Sequence, residues 1–235
     1  MHIHDQRGER WALGHLSDTY LWLGQFEEAL PLALRGLKVA RDIGDRWAEG
    51  NSLIAIGDVD LHFERFEEAA NHYQQALILY RDVKHRRNEA IALVQLAELA
   101  RNQRHFDQAI TYARDGLAIH QEINNTMNEA LTLRTLGQVY LDLRRFNEAA
   151  DRFQQALVIF RKLNNRYEAA RTLRYLGEAL RGTGQLSEAR DSWLEALSIF
   201  DDLGAQEADQ VRVCLETLNA HDPGRRRETP SATAD

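Results

Sequence analysis

The sequence predicts an all-α protein, a right-handed α-solenoid of five forty-residue helix–turn–helix units closed by a capping helix. Three observations predict it. Phe26, Phe66, Phe106, Phe146 and Leu186 stand forty residues apart, with no insertion or deletion between them. The residues that follow repeat as well: Phe-Glu-Glu-Ala twice, then Phe-Asp-Gln-Ala, Phe-Asn-Glu-Ala and Leu-Ser-Glu-Ala. Within each unit the apolar residues fall at helical spacing twice over, which marks a pair of amphipathic helices. A strict period of this length is the mark of stacked units. One helix pair cannot bury its apolar stripe alone, so successive pairs must share a continuous core.

The units run 5–44, 45–84, 85–124, 125–164 and 165–204, together 5–204. In the second, Leu53, Ile56, Val59 and Phe63 share one face, with Asp60 its lone polar member. Phe66, Ala69, Ala70, Tyr73, Ala76, Leu77, Tyr80 and Val83 then trace a second helix. First helices are expected near 46–63, second helices near 66–83, and so on every forty residues. Gly44, Asn124, Asn164 and Gly204 tolerate the left-handed backbone that ends a helix, with Lys84 the exception. Asp5, Asp45, Asn125 and Asn165 follow as N-caps, with His85 the weak member. Ala29, Ala69, Ala109, Ala149 and Ala189 form an unbroken column, where a small side chain lets the two helices of a unit approach closely. Units one and three carry Ala33/Gly36 and Ala113/Gly116 where the other units carry an aromatic/Ala pair. The capping helix falls within 205–220, where Cys214 lies between Val211, Val213, Leu215 and Leu218 and is expected to be a buried structural thiol. Residues 221–235 hold Pro223, Pro230 and Arg225 to Arg227 without apolar periodicity and are expected to be a disordered tail.

Ile56-Gly57 with Ala69, Tyr73 and Ala76 has the spacing of a known repeat, and so do Leu136-Gly137 with Tyr140, Ala149, Phe153 and Ala156. Leu176-Gly177 with Ala189, Trp193 and Ala196 matches too. On these residues the chain resembles the tetratricopeptide repeat family. The resemblance covers about 200 of the 235 residues. The usual unit has about 34 residues and a proline near its end; here it has forty and no such proline. It is similar to the long-helix variety found in kinesin light chains, in cell-division adaptor proteins, and in bacterial regulators of the STAND and SARP types.

Composition narrows the function. Against 29 Lys and Arg stand 36 Asp and Glu, a formal net charge of −7, with no basic block in the body of the chain, so nucleic acid is a poor partner. No apolar run reaches the eighteen or so residues of a membrane span, and the polar N-terminus lacks a signal-peptide core. With one cysteine the chain is expected in the cytoplasm, without disulfides. No phosphate loop, His-Glu-x-x-His pair or Gly-x-Ser-x-Gly elbow is present, so no catalytic residue, metal site or cofactor is expected. Gly182-Thr183-Gly184 is only an interhelical loop in the repeat frame, and His2-x-His4 is expected to be an unoccupied flexible end.

The resemblance implies that the first helices line a concave face where ligands lie. Transferred column by column, it places Asp18, Asp58, Glu98, Gln138 and Glu178 in one row. Ile54, Val94, Arg134 and Arg174 lie one turn before it, and Leu61, Arg101 and Arg181 one turn after, with Trp22 and His62 beside them. The groove is thus expected to be apolar at its N-terminal end and rich in arginine at the other. The expected function is a non-enzymatic interaction module that holds a protein or peptide segment in this groove, in a regulatory or adaptor role. The alternatives are a self-assembling piece, or a sensor of a signalling peptide or small ligand on the same face. Trp11 and Trp22 are the expected end interface, toward an upstream domain or a second copy.

Overall fold

The computed structural model describes residues 2–220, with side chains for 6–218, and within them it contains eleven helices and no strand. The expected tail at 221–235 and the side chains of His2, His4 and Asp5 lie outside the described residues. The helices are α1 (His2–Trp22), α2 (Phe26–Asp42), α3 (Arg46–His62), α4 (Phe66–Asp82), α5 (Arg86–Asn102) and α6 (Phe106–Glu122). They continue as α7 (Thr126–Asp142), α8 (Phe146–Lys162), α9 (Arg166–Gly182), α10 (Leu186–Leu203) and α11 (Glu207–Ala220). From α4 to α10, each helix begins forty residues after the equivalent helix of the previous repeat. α1 departs from the expectation: it starts ahead of Asp5, which lies inside the helix and not at its N-cap position.

Two compact units emerge, Met1–Val139 and Tyr140–Asp235. In the first, α1 packs on α2, α2 on α3, α3 on α4, α4 on α5 and α5 on α6, each pair sequential. Its core is built from Leu53, Ile56, Tyr73, Leu77, Tyr80, Leu93 and Leu96, among others. In the second, α8 packs on α9, α9 on α10 and α10 on α11. Phe153, Phe160, Leu173, Leu176, Trp193 and Phe200 are buried there. The last helix covers α10 with Ala208, Val211 and Leu218. Cys214 sits half-buried beside them, and burial pushes its thiol up from the ordinary value.

The turns show why the period holds so strictly. Gly44, Lys84, Asn124, Asn164 and Gly204 all adopt positive φ after the second helices. Gly24, Glu64, Arg104, Arg144 and Gly184 do so after the first helices. The next amide in each turn reaches back to a carbonyl in the last helical turn, as Asp45 does to Ala40 at 2.9 Å and His85 to Tyr80 at 2.8 Å. This is the Schellman arrangement, which satisfies otherwise orphaned helix carbonyls. Lys84 therefore takes the left-handed conformation despite its side chain, at a cost of roughly 1–2 kcal/mol. Asp45 and Asn165 cap α3 and α9 by accepting the Ala48 and Glu168 amides, and the His85 ring nitrogen accepts the Asn88 amide on α5.

All five alanines of the small-residue column are fully buried. The ring one turn further along the second helix has its own matched partner on the first. A Cβ on Gly57 would lie 2.5 Å from the Tyr73 ring, and one on Gly177 would lie 2.3 Å from Trp193 Nε1. Units one and three have Ser17 and Ala97 at the glycine position and Ala33 and Ala113 at the ring position. Ring and glycine thus exchange together for two small residues. Asp60 is buried on the α3 face, where its carboxylate pairs with Arg65 at 2.8 Å and His72 Nδ1 at 2.8 Å.

Candidate functional site

In unit Met1–Val139 the first helices present the acidic row as a graded series. Asp18 on α1 is exposed, while Asp58 on α3 and Glu98 on α5 are half-buried. Asp58 is the best held of the three. Its Oδ1 accepts from the Tyr73 hydroxyl at 2.7 Å and from the Gln95 amide. One repeat later the Thr135 hydroxyl donates to Glu98 at 3.2 Å, the equivalent contact. The Tyr80 hydroxyl and the Asn88 amide both donate to Asn51 Oδ1 at 2.7 Å. Second-repeat polar groups on this face are therefore tied to each other and to the next first helix.

Burial pushes the Asp58 carboxyl up to about 7; the hydrogen bonds from Tyr73 and Gln95 oppose this, and the Glu98 and Asp18 carboxylates add to it. The Tyr73 phenol, buried against Asp58, is driven up and stays a donor. A carboxyl with a raised folded-state pKa binds its proton more tightly when folded, so its contribution to stability falls as pH rises from about 4 to about 7. Asp58→Asn keeps an acceptor for both donors and removes the titration. Denaturant midpoints measured from pH 4 to 8 are expected to show the wild type losing stability relative to this variant as pH rises. Parallel profiles would contradict the burial of a titrating Asp58.

The remaining groove residues of this unit differ in accessibility. Trp22 is 92% exposed, and Trp11 is exposed with its ring 4.2 Å from that of His15. His62 is exposed and stacks flat on Phe26, with centroids 3.7 Å apart. Ile54 and Leu61 are half-buried against the core, and Val94, Arg101 and Gln138 are half-buried. Arg134 is 9% exposed, a buried guanidinium. In unit Tyr140–Asp235, Arg174 pairs with Glu178 at 3.1 Å and its guanidinium lies 4.1 Å from the Tyr175 ring centroid. Burial raises the Glu178 carboxyl, with Arg174 and Arg181 pulling it down. Arg181 is exposed, 5.8 Å over the Trp193 ring.

Two open pockets lie on the first-helix face of unit Met1–Val139, and they occupy equivalent places two repeats apart. One, of about 120 Å³, is lined by Trp11, Gly14, Asp18, Ala48, Asn51 and Ala55, among others. The other, of about 230 Å³, is lined by Ile91, Val94, Glu98, Asn128, Leu131 and Thr135 at the same repeat positions, with Arg134 and His120. His120, Asn128, Thr132 and Thr135 did not stand out in the sequence as site residues. A signal was available: position 120 falls in the column of Tyr80, Phe160 and Phe200, where histidine is the only imidazole. Among the described residues no helix is long and apolar enough to cross a membrane, and no group of His, Cys, Asp and Glu could hold a metal ion.

Comparison with known proteins bears on the repeat and the fold. The family profile described as tetratricopeptide repeat matches residues 8–82, 52–122, 88–162 and 128–202. None of the curated proteins compared by sequence matches the chain. Among solved structures, BtubC from P. vanneervenii is similar at 19% identity and TM-score 0.68, over 99% of this chain and 94% of that one. A Rap protein complexed with Competence and Sporulation Factor is similar at 15% identity and TM-score 0.76, over 90% of this chain and 65% of that one. The STAND protein with a tetratricopeptide repeat sensor from Pyrococcus horikoshii is similar at 14% identity and TM-score 0.63; 88% of this chain covers 36% of it.

Proposed function

Because the chain belongs to the tetratricopeptide repeat family, we propose that it is a non-enzymatic interaction module whose first-helix face holds a segment of a partner protein or a peptide, in a regulatory or adaptor role. One observation carries this reading. In unit Met1–Val139 that face combines a row of carboxylates with two open pockets at equivalent repeat positions, so it offers polar anchors and concave space together. Interfaces draw their energy from a few side chains seated in pockets, and a repeated pocket is suited to an extended chain. The similarity to a Rap protein complexed with Competence and Sporulation Factor supports a bound partner on such a fold. A cytoplasmic location fits the same reading.

The buried place of Arg134 and the pairing of Arg174 with Glu178 make these two poor choices for a test, since their loss would disturb packing. Asp18 and Arg181 are exposed, one on each unit. Asp18→Lys combined with Arg181→Glu is expected to leave helical content and melting temperature within experimental error of wild type while abolishing capture of the partner in pull-downs. Equal capture by both proteins would sink the groove reading. Loss of self-association in Trp11→Ser/Trp22→Ser, with partner capture intact, would favour assembly through the N-terminal end instead.

A further inference from the structure

The larger of the two pockets lies in the third repeat, which lacks phenol rings that the second repeat has. In the second repeat the Tyr80 phenol reaches Asn51 and the Tyr73 phenol reaches Asp58. The positions forty residues on from Tyr73, Asn51 and Asp58 are Ala113, Ile91 and Glu98, and Tyr80 is matched by His120. Ile91, Glu98 and His120 all line the pocket, together with Asn128, the equivalent of Asn88. The carboxylate and the ring position that the two phenols serve in the second repeat thus border an open pocket in the third.

The chemistry of the wall is retained although the rings are gone. Glu98 receives the Thr135 hydroxyl as Asp58 receives the Gln95 amide, and so stands where a second donor arrives in the neighbouring repeat. His120 is 1% exposed, and its Nδ1 has no hydrogen-bond partner. An unpaired polar atom at that depth costs about 1–3 kcal/mol unless something fills its valence. Burial, with Arg87 adding to it, pushes the ring down to about 4, so it is neutral near pH 7 and offers one acceptor and one donor nitrogen. A phenol hydroxyl both donates and accepts, so it satisfies either tautomer. Ile91, Val94 and Leu131 supply apolar surface for the ring. A cavity of roughly 150 Å³ already holds benzene. The third-repeat pocket, at about 230 Å³, clears that size. The first-repeat pocket, at about 120 Å³, falls below it.

We propose that the third-repeat pocket is a phenol site, which seats the ring that the second repeat supplies internally and pairs its hydroxyl with His120. The assignment deepens the segment-binding reading, with a tyrosine side chain of the bound segment as one source of the phenol and a free phenolic molecule as the other.

The full chain is titrated with p-cresol and with toluene, and the resonances of His120, Leu131, Thr132 and Thr135 are followed by NMR. The expected result is saturable p-cresol shifts confined to this pocket, with toluene about tenfold weaker, the worth of one hydrogen bond. His120→Tyr places a phenol in the cavity covalently and is expected to abolish p-cresol binding without lowering the melting temperature. Should that variant misfold, His120→Leu keeps the pocket apolar and is expected to reduce p-cresol to the level of toluene. Two blocked tripeptides, Ac-Ala-Tyr-Ala-NH2 and its phenylalanine counterpart, separate the sources. Preferential binding of the tyrosine peptide assigns the site to a side chain; binding of p-cresol with exclusion of both peptides assigns it to a free phenol. No saturable shift with p-cresol, equal binding of toluene, or p-cresol binding that survives in both His120 variants would overturn the proposal. Partner capture that depends on Asp18 and Arg181 alongside a silent p-cresol titration would remove the phenol site alone. Phenol binding without such capture would remove the segment reading alone.

Discussion

Trp193→Ala is expected to cost about 4 kcal/mol, the largest single loss available in unit Tyr140–Asp235. The indole is fully buried, and its Nε1–H donates to the Arg174 carbonyl at 2.9 Å. It lies directly on Gly177, and truncation leaves a hole that the helices close only in part, because α9 and α10 are each held by further contacts. It also removes the second donor of a carbonyl that otherwise keeps only its bond within α9. A second substitution checks the mechanism. Gly177→Ala alone drives a Cβ into the indole and should cost about 1–3 kcal/mol. In the Trp193→Ala background the same change removes a flexible glycine from a helix interior at no steric penalty and should stabilise by about 0.5–1 kcal/mol. Urea denaturation followed by circular dichroism measures both, and the effect of Gly177→Ala must change sign between the two backgrounds. A cost below 1 kcal/mol for Trp193→Ala, or additive effects in the pair, would show that ring and glycine are not matched.

Pro31→Ala should move stability the other way, by about 2 kcal/mol. Pro31 lies in the second turn of α2, exposed, six residues into a seventeen-residue helix. It lacks the amide that would bond back to the Glu27 carbonyl, and a proline inside a helix costs about 3 kcal/mol relative to alanine. The helix runs through it because Ala29, Ala33, Gly36 and Leu37 are buried on the other side, so packing overrides the local preference. The gain should appear in the urea midpoint and as slower amide exchange near Glu27. No change in either would mean that the first turn of α2 is already frayed.

Much of the architecture is legible because a repeat states its own alignment. Phe26 and its equivalents mark where each second helix begins, and the helices start at those residues. The Lys84 turn shows the limit of residue preference: its left-handed backbone is imposed by geometry common to all the turns, whatever the side chain. The site is less legible. Asp58, Glu98 and Arg134 can be placed on the first helices by counting, yet their depth cannot. Arg134 sits in the wall of a pocket and Arg174 is clamped between Glu178 and the Tyr175 ring. His120 escaped notice because one histidine among large apolar residues ordinarily fills the core.

By itself the sequence determined the all-helical fold, the period of forty, the helix pairs and the small-residue contacts between them. All of these follow from local spacing and from volumes that must match at close approach. Only the tertiary structure decided which polar groups are buried, which are paired, and where a pocket stays open. Those properties depend on three helices meeting at one place, and side chains far apart in the chain determine the depth and the empty volume there.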